Sequence, residues 1–167
     1  LLESSNKSLV IDADALNIIS ENTYMMGLIP ENSILTPHPK EFSRISGIST
    51  KSILNNRFKY ASITSSKYGV YIILKGYSSI IAAPSGELFV NSTGNASMAT
   101  AGSGDILTGI LASFTGFKNK DLLNAIISSV YIHGLAGDIC SKEIGEYGIT
   151  ATDILERIPQ AINSFIN

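Results

Sequence analysis

A single cysteine, Cys140, occurs in the 167 residues. A lone thiol excludes an internal disulfide framework and suits a reducing compartment, so a cytoplasmic setting is expected. Charge imbalance is also lacking: 12 basic and 14 acidic residues leave a net charge of −2. That offers no electrostatic footprint for nucleic acid or an anionic membrane surface. Uninterrupted apolar runs are missing too. The longest apolar pattern, Leu122 to Cys140, is broken by Asn124, Ser128, Ser129, His133 and Asp138, and a membrane span wants roughly 20 predominantly apolar residues. No internal repeat or low-complexity segment appears. The opening L-L-E-S-S-N-K-S has no charged-then-apolar signal layout, and its first residue is Leu1, so the chain is expected to begin inside a longer protein. A hydrophobic share of 44% with 16% charged residues suits one globular domain with a sizeable core.

Two glycine fingerprints also fail on the stretch around which the chain is organised, Asn91 to Gly109. A P-loop needs Lys after Gly109, where Ile110 stands, and a dinucleotide fingerprint needs Gly at the position of Leu107. What the stretch does contain is a small, polar, glycine-bearing half followed by Ile106, Leu107, Ile110, Leu111 and Phe114 at helical spacing. That is a loop feeding a helix. At the junction, Gly102-Ser103-Gly104-Asp105, the first helical N–H groups lack intrahelical partners and can close around an anion. Asp105 follows in the first turn. An anion hole with an adjacent carboxylate suits phosphoryl transfer, which depends on positioning and on donors aimed at phosphate oxygens. The plainer alternative is a tight helix entry with a dipole-favoured acid.

The remaining chain alternates strand and helix. Ser8 to Ile11 reads as a buried strand delivering Asp12 and Asp14 into a loop. On a continuing strand these acids share a face and can position Mg²⁺ or a ligand hydroxyl; alternatively one caps a helix starting near Ala15. Ile34-Leu35 is a second strand, running into Thr36-Pro37-His38-Pro39-Lys40-Glu41-Phe42. Pro39 suits the first turn of a helix through Arg44, and His38 is either a ligand-contacting group or an exposed loop histidine. Ser49 to Ser66 is expected as one surface helix turning Ile53, Leu54, Phe58, Ala61 and Ser65 inward and ending before Gly69. Val70 to Leu74 is a buried strand with Lys75 at its carboxyl end, facing a nucleotide or standing as a plain turn lysine. Ser79 to Ala83 and Glu87 to Val90 flank Pro84-Ser85-Gly86 as a hairpin. Gly116 to Lys120 is a polar connection. Asp121 to Cys140 is a long helix burying Leu122, Ile126, Val130 and Leu135, with His133 structural. The last helix follows Gly148, with Thr152 as N-cap, Ile154, Leu155, Ile158 and Ile162 inward, and a kink at Pro159.

Five segments occur in one order: D-A-D-A-L-N (Asp12 to Asn17), T-P-H-P-K-E-F (Thr36 to Phe42), L-K-G (Leu74 to Gly76), T-G-N-A-S-M-A-T-A-G-S-G-D (Thr93 to Asp105) and Y-I-H-G-L-A-G-D (Tyr131 to Asp138). Together they resemble the NAD(P)H-hydrate dehydratase family, of the YjeF C-terminal-domain type within the ribokinase-like superfamily. The resemblance spans nearly the whole chain. It implies an α/β fold, a three-layer α/β/α sandwich with a mostly parallel sheet and an added hairpin. Residues 1–167 are expected to be the C-terminal portion of one such domain. The implied reaction is cofactor repair: the ring hydroxyl of the S epimer of NADHX or NADPHX is phosphorylated, and phosphate is then eliminated. The G-S-G-D loop looks like that of the ADP-dependent members, so ADP is the expected phosphoryl donor.

By the same resemblance, Asp105 is the catalytic, substrate-contacting acid. His38 matches the substrate-contacting histidine, and Pro39, Lys40 and Glu41 line the same wall. The nucleotide is expected on Lys75, Gly76, Tyr77, Ser78 and Ser79, and on Asn95, Thr100, Gly102, Ser103 and Gly104. Ala101 stands where a glycine is common, which bears on how closely the backbone approaches. Mg²⁺ is expected as phosphate counter-charge, with no ligand fixed by the sequence. The expected partners are NAD(P)HX and ADP, with homo-oligomeric assembly and without nucleic acid or membrane. Full-length members carry an N-terminal portion not seen before Leu1, so upstream residues or a second chain are expected to complete the site. A ribokinase-like kinase for a sugar or vitamin precursor is the second enzyme reading, and a non-catalytic nucleotide-binding fragment the third.

Overall fold

The computed structural model describes residues 7–116 and 121–166. The opening six residues and most of the connection expected at 116–120 lie outside them. The chain divides into two compact units, Leu1–Val90 and Asn91–Asn167.

Among the described residues the first unit is built on five short strands in the order β1 (Val10–Ile11), β2 (Ile34–Leu35), β3 (Tyr71–Leu74), β4 (Ile80–Ala82) and β5 (Leu88–Val90). The first three are parallel, with Val10 opposite Ile34 and Ile34 opposite Tyr71. The hairpin adds two antiparallel pairings, Ile73 opposite Ile81 and Ile81 opposite Phe89. The sheet is therefore mixed, not mostly parallel: two of its four pairings are of each kind.

Between β1 and β2 run α1 (Asp14–Glu21) and a 3₁₀ segment, Thr23–Leu28; between β2 and β3 run α2 (Pro39–Ser46), α3 (Thr50–Asn55) and α4 (Arg57–Tyr68). Leu16, Phe42, Ile53, Ile72 and Leu74 form the heart of this unit's core, each fully buried, and burying each such side chain contributes about 1.5–3 kcal/mol. The helix expected from Ser49 to Ser66 is two helices. Asn56 leaves helical geometry (φ −144°, ψ 50°), which resets the register, so Ile53 and Ala61 are buried while Leu54 and Phe58 are exposed. Ser65 belongs inside because its hydroxyl donates to Val70 O at 2.6 Å. Gly69 ends α4 in the left-handed conformation, at φ 66°.

The second unit consists of the loop from Asn91, with a 3₁₀ turn at Ala96–Met98, then α5 (Ser103–Thr115), α6 (Leu122–Ile144) and α7 (Ala151–Ile166). By length and composition α6 could cross a membrane, but it packs against both α5 and α7 and buries Ile126, Val130, Ile132, Ala136 and Cys140. Leu122 and Leu135 are only half-buried. Two expectations for α7 change. Its N-terminal box is Thr150 with Asp153, not Thr152: Asp153 Oδ2 accepts from Thr150 N at 2.8 Å, and Thr150 Oγ1 accepts from Asp153 N at 3.3 Å. Leu155 is exposed whereas Ile154 is fully buried. Pro159 stands inside α7, which continues to Ile166; Leu155, whose carbonyl loses its helical partner to the proline, is on the exposed side.

Candidate active site

In the first unit the parallel pairing sets the carboxyl ends of β1, β2 and β3 side by side, the edge at which open α/β sheets bind ligands. Asp12 follows β1, the segment Thr36 to Glu41 follows β2 and Lys75 follows β3. Lys75 Nζ lies 2.7 Å from Asp12 Oδ1 and 4.0 Å from Glu41 Oε2, so Lys75 is an ion-paired group and not a plain turn lysine. Asp12 and Asp14 do not share a strand face. The strand stops at Ile11, Ala13 turns the chain with φ 49°, and Asp14 begins α1. The N-cap of that helix is Ala13, which offers no side-chain bond.

His38 is the N-cap of α2. Its Nδ1 accepts from Lys40 N and Glu41 N, both at 3.1 Å. In return Glu41 Oε2 accepts from His38 N at 2.8 Å, a reciprocal box. As an acceptor Nδ1 carries no proton, so the ring hydrogen sits on Nε2, 3.3 Å from Glu41 Oε1. Pro39 occupies the first helical position, and Lys40 is exposed. Asp12, His38, Glu41 and Lys75 thus make one continuous polar cluster.

Beyond β3, Gly76 (φ 147°) and Ser78 (φ 52°) give the Lys75 to Ser79 segment a bent backbone. Tyr77 is 87% exposed, and Ser79 Oγ donates to Gly76 O at 3.3 Å. The group holding this segment is Arg57, which sequence reasoning missed. Its Nη1 donates to Tyr77 O, and its Nη2 to Leu74 O and Ser78 O.

In the second unit the loop is pinned onto α6. Asp138 accepts from Gly94 N and from Asn95 Nδ2, each at 2.8 Å, and Thr93 Oγ1 donates to Tyr131 O at 2.8 Å. Asn95 also donates to Gly137 O, and its Oδ1 accepts from Ser97 N and the Ser97 hydroxyl. The Asn95 side chain is therefore committed to shaping the loop. Asp138 was visible only as the end of a motif, without a role.

At the head of α5, Gly102 is left-handed (φ 88°) and caps without a side-chain bond. Ser103 N donates to Thr100 O at 3.3 Å, closing a turn, and Ser103 Oγ lies 3.3 Å from His133 Nε2. Among the described residues the N–H groups of Gly102, Gly104 and Asp105 have no acceptor in the chain. Asp105 is exposed in the same turn. Ala101 has no positive φ, so the residue found where a glycine is common is accommodated without strain. Such an arrangement can offer main-chain donors to an anion and a carboxylate to a neighbouring hydroxyl. Among the described residues no three of His, Cys, Asp or Glu gather into a metal cluster.

The fold has counterparts among solved proteins. An Arabidopsis thaliana ribokinase, complexed with ribose and ATP, matches with a TM-score of 0.52 at 15% identity, over 93% of this chain and 49% of its own, a likeness of fold alone. A Bacillus subtilis ADP/ATP-dependent NAD(P)H-hydrate dehydratase, co-crystallized with ATP and Mg²⁺ and soaked with CoA, matches with a TM-score of 0.86 at 29% identity, over 98% of this chain and 58% of that one. The class is thus a ribokinase-like α/β protein. Residues 1–160 match the NAD(P)H-hydrate dehydratase family, and the chain belongs to that family. It is 36% identical over 147 residues to the ADP-dependent (S)-NAD(P)H-hydrate dehydratase of Neisseria meningitidis, covering 87% of this chain and 49% of that protein. The chain spans about a third to a half of the length of the curated relatives it matches.

Proposed function

We propose that this chain supports the ADP-dependent dehydration of the S epimer of NAD(P)HX to NAD(P)H, with AMP and phosphate as the other products. The observation that carries the reading is the head of α5, where Gly102, Gly104 and Asp105 leave main-chain donors unused beside the exposed Asp105 carboxylate. In the first step the ring hydroxyl oxygen attacks the terminal phosphorus of ADP, and the bond to AMP breaks. Asp105 orients the hydroxyl and takes its proton late, as the new P–O bond develops, because a carboxylate is a weak base toward an alcohol. The unused N–H groups steady the charge on the transferred group; one such donor is worth roughly 3–4 kcal/mol in acyl-transfer sites. In the second step the C–O bond breaks, phosphate departs with its electron pair, and loss of a ring proton restores the double bond.

His38, Pro39, Lys40 and Glu41 serve the hydrated substrate in this reading. Lys75 to Ser79, with Asn95, Thr100, Gly102, Ser103 and Gly104, serve the nucleotide; the contribution of Asn95 is to shape the loop. Mg²⁺ is characteristically held by one or two carboxylates together with substrate phosphates. With no three-residue cluster among the described residues, the ion fits as counter-charge carried on the nucleotide, and no step depends on a protein cage. A three-layer sandwich, homo-oligomeric assembly and a cytoplasmic setting belong to the same reading.

The test is an assay of the intact protein with NADHX and ADP, following both free phosphate and the return of dihydronicotinamide absorbance, beside Asp105→Asn. Wild type should release the two in equal amounts, and the variant should lose most of the rate. Full activity in Asp105→Asn removes the acid from the mechanism, and a stable phosphorylated product in place of free phosphate makes the chain a kinase.

A further inference from the structure

Arg57 is placed where simple helix energetics would not put it. It is the first residue of α4, and a helix N-terminus already carries partial positive charge that disfavours a cation. No acidic residue stands in that first turn. The side chain is half-buried, loss of solvent lowers its pKa from the ordinary guanidinium value, and its Nε–H is buried with no acceptor. An arginine kept for helix stability alone would not combine these costs.

What the side chain obtains in return is a grip on a loop. Nη1 lies 2.8 Å from Tyr77 O, and Nη2 lies 3.2 Å from Ser78 O and 3.3 Å from Leu74 O. A Cβ at Gly76 would stand 3.5 Å from Nη2. Ser78 holds a left-handed backbone, φ 52°, which persists in a non-glycine residue only where its surroundings enforce it. With these carbonyls drawn onto the guanidinium, the N–H groups of Gly76, Tyr77 and Ser78 have no acceptor in the chain among the described residues. Successive free amides in a bent backbone form an anion-binding concavity.

We infer that Arg57 is a positioning residue for nucleotide binding: its planar fork takes up the carbonyls of the 74–78 turn, so that the amides of Gly76, Tyr77 and Ser78 stay available to the phosphates of a nucleoside diphosphate. The inference rests on the reading of Lys75 to Ser79 as the nucleotide segment. Lysine cannot replace the fork, since a point-like ammonium does not span three carbonyls.

The experiment titrates ADP by calorimetry into the intact wild-type protein, Arg57→Lys and Arg57→Ala, with Tm measured on each and kcat and KM taken for both substrates. ADP affinity should fall roughly ten- to hundredfold in Arg57→Ala, less in Arg57→Lys, while the KM for NADHX at saturating ADP stays within about threefold of wild type. Millimolar ethylguanidinium should restore ADP affinity to Arg57→Ala, which a purely structural role would not produce. ADP affinity unchanged in either folded variant overturns the inference, as does an affinity loss that ethylguanidinium leaves untouched. Should Arg57→Ala not fold, Arg57→Lys decides: weakened ADP binding with a wild-type Tm supports the role, and equal binding overturns it. Wild-type protein that binds no ADP refutes the nucleotide reading itself, a result distinct from any difference between wild type and variants.

Discussion

A methyl group added at Gly134 measures how closely the loop must lie on α6. Built on the backbone, it would stand 2.7 Å from the carbonyl carbon of Thr93 and 2.8 Å from its oxygen, and nearer still to the Thr93 hydroxyl. Relaxing the backbone contact from 2.7 Å to an ordinary 3.4 Å takes a shift of 0.7 Å. Rotating a side chain cannot supply that shift, because main-chain atoms are struck. The moving segment is the one tied by Thr93 Oγ1 to Tyr131 O and by Gly94 and Asn95 to Asp138, so three hydrogen bonds are strained together. Overpacking of this kind costs about 1–3 kcal/mol, against at most about 1 kcal/mol of helix propensity gained by replacing glycine with alanine. The clash wins, and with roughly 2–4 °C of Tm per kcal/mol for a chain of this size, Gly134→Ala should melt a few degrees early. Its activity should fall further than stability explains, since a misplacement of about 1 Å can cost on the order of a hundredfold. Gly137→Ala is the control. There the methyl meets the Sδ, Cγ and Cε of Met98, a flexible thioether able to swing aside, so Tm and kcat/KM should stay near wild type. Thermal melts and ADP-dependent NADHX turnover on both variants decide the matter: Gly134→Ala with wild-type melting and turnover, or Gly137→Ala as the more damaged of the two, refutes the reasoning.

Lys75→Met should destabilise the protein by roughly 1–3 kcal/mol, because Asp12, with a side chain only 8% exposed, loses its 2.7 Å partner and the pair is buried enough to escape full solvent screening; an unchanged denaturation midpoint would contradict this. Thr150→Ala should cost about 1 kcal/mol as a lost helix cap, whereas Thr152→Ala, at an exposed position, should be near neutral, a difference that urea melts resolve. Burial pushes the Cys140 thiol above its ordinary pKa, with Arg157 pulling partly the other way. The folded chain therefore keeps the thiol protonated where an unfolded chain would ionise it, and this share of stability is complete below the ordinary thiol pKa and declines as pH rises past it. Iodoacetamide at mildly alkaline pH should accordingly label Cys140 only as fast as the protein opens, and labelling at the rate of a free thiol would disprove the burial argument.

The elements legible in the sequence were those announced by local chemistry. The apolar pair Ile34-Leu35 stopped by Pro37, the V-Y-I-I-L run after Gly69 and the Pro84-Ser85-Gly86 turn each carry their signal within a few residues, and each element sits where it was read. The helix expected at 49–66 failed because its apolar spacing fits one continuous helix as well as two. Only the Asn56 backbone distinguishes them, and asparagine is unremarkable in either setting. Thr152 is a residue type that suits a cap near the start of the last helix, and only the carboxylate of Asp153 reaching back to Thr150 N places the box two residues earlier. The candidate site was legible as motifs, whereas its pairings were not. Lys75 and Asp12 are 63 residues apart, and their meeting depends on which strands are neighbours, a property of topology that no local window contains.

The two clamps, Arg57 and Asp138, were invisible for a further reason: each binds main-chain atoms, which every residue possesses. Their opposite charges take up opposite halves of the peptide group, and this decides where an anion can bind. Arg57 occupies carbonyls and leaves the amides of Gly76, Tyr77 and Ser78 unused. Asp138 does the reverse, accepting from Gly94 N, and also from the Asn95 side-chain Nδ2, so the glycine at the start of the loop has no donor left for a phosphate. A second acid-bound step follows at Thr150, and Ser103 N is spent on Thr100 O. Among the described residues Gly102, Gly104 and Asp105 keep unused donors next to the exposed carboxylate, and phosphate affinity should respond to backbone changes there and only indirectly to changes at Gly94. The glycines of one loop, alike in sequence, are thus divided by Asp138 into one that anchors and two that are free to act.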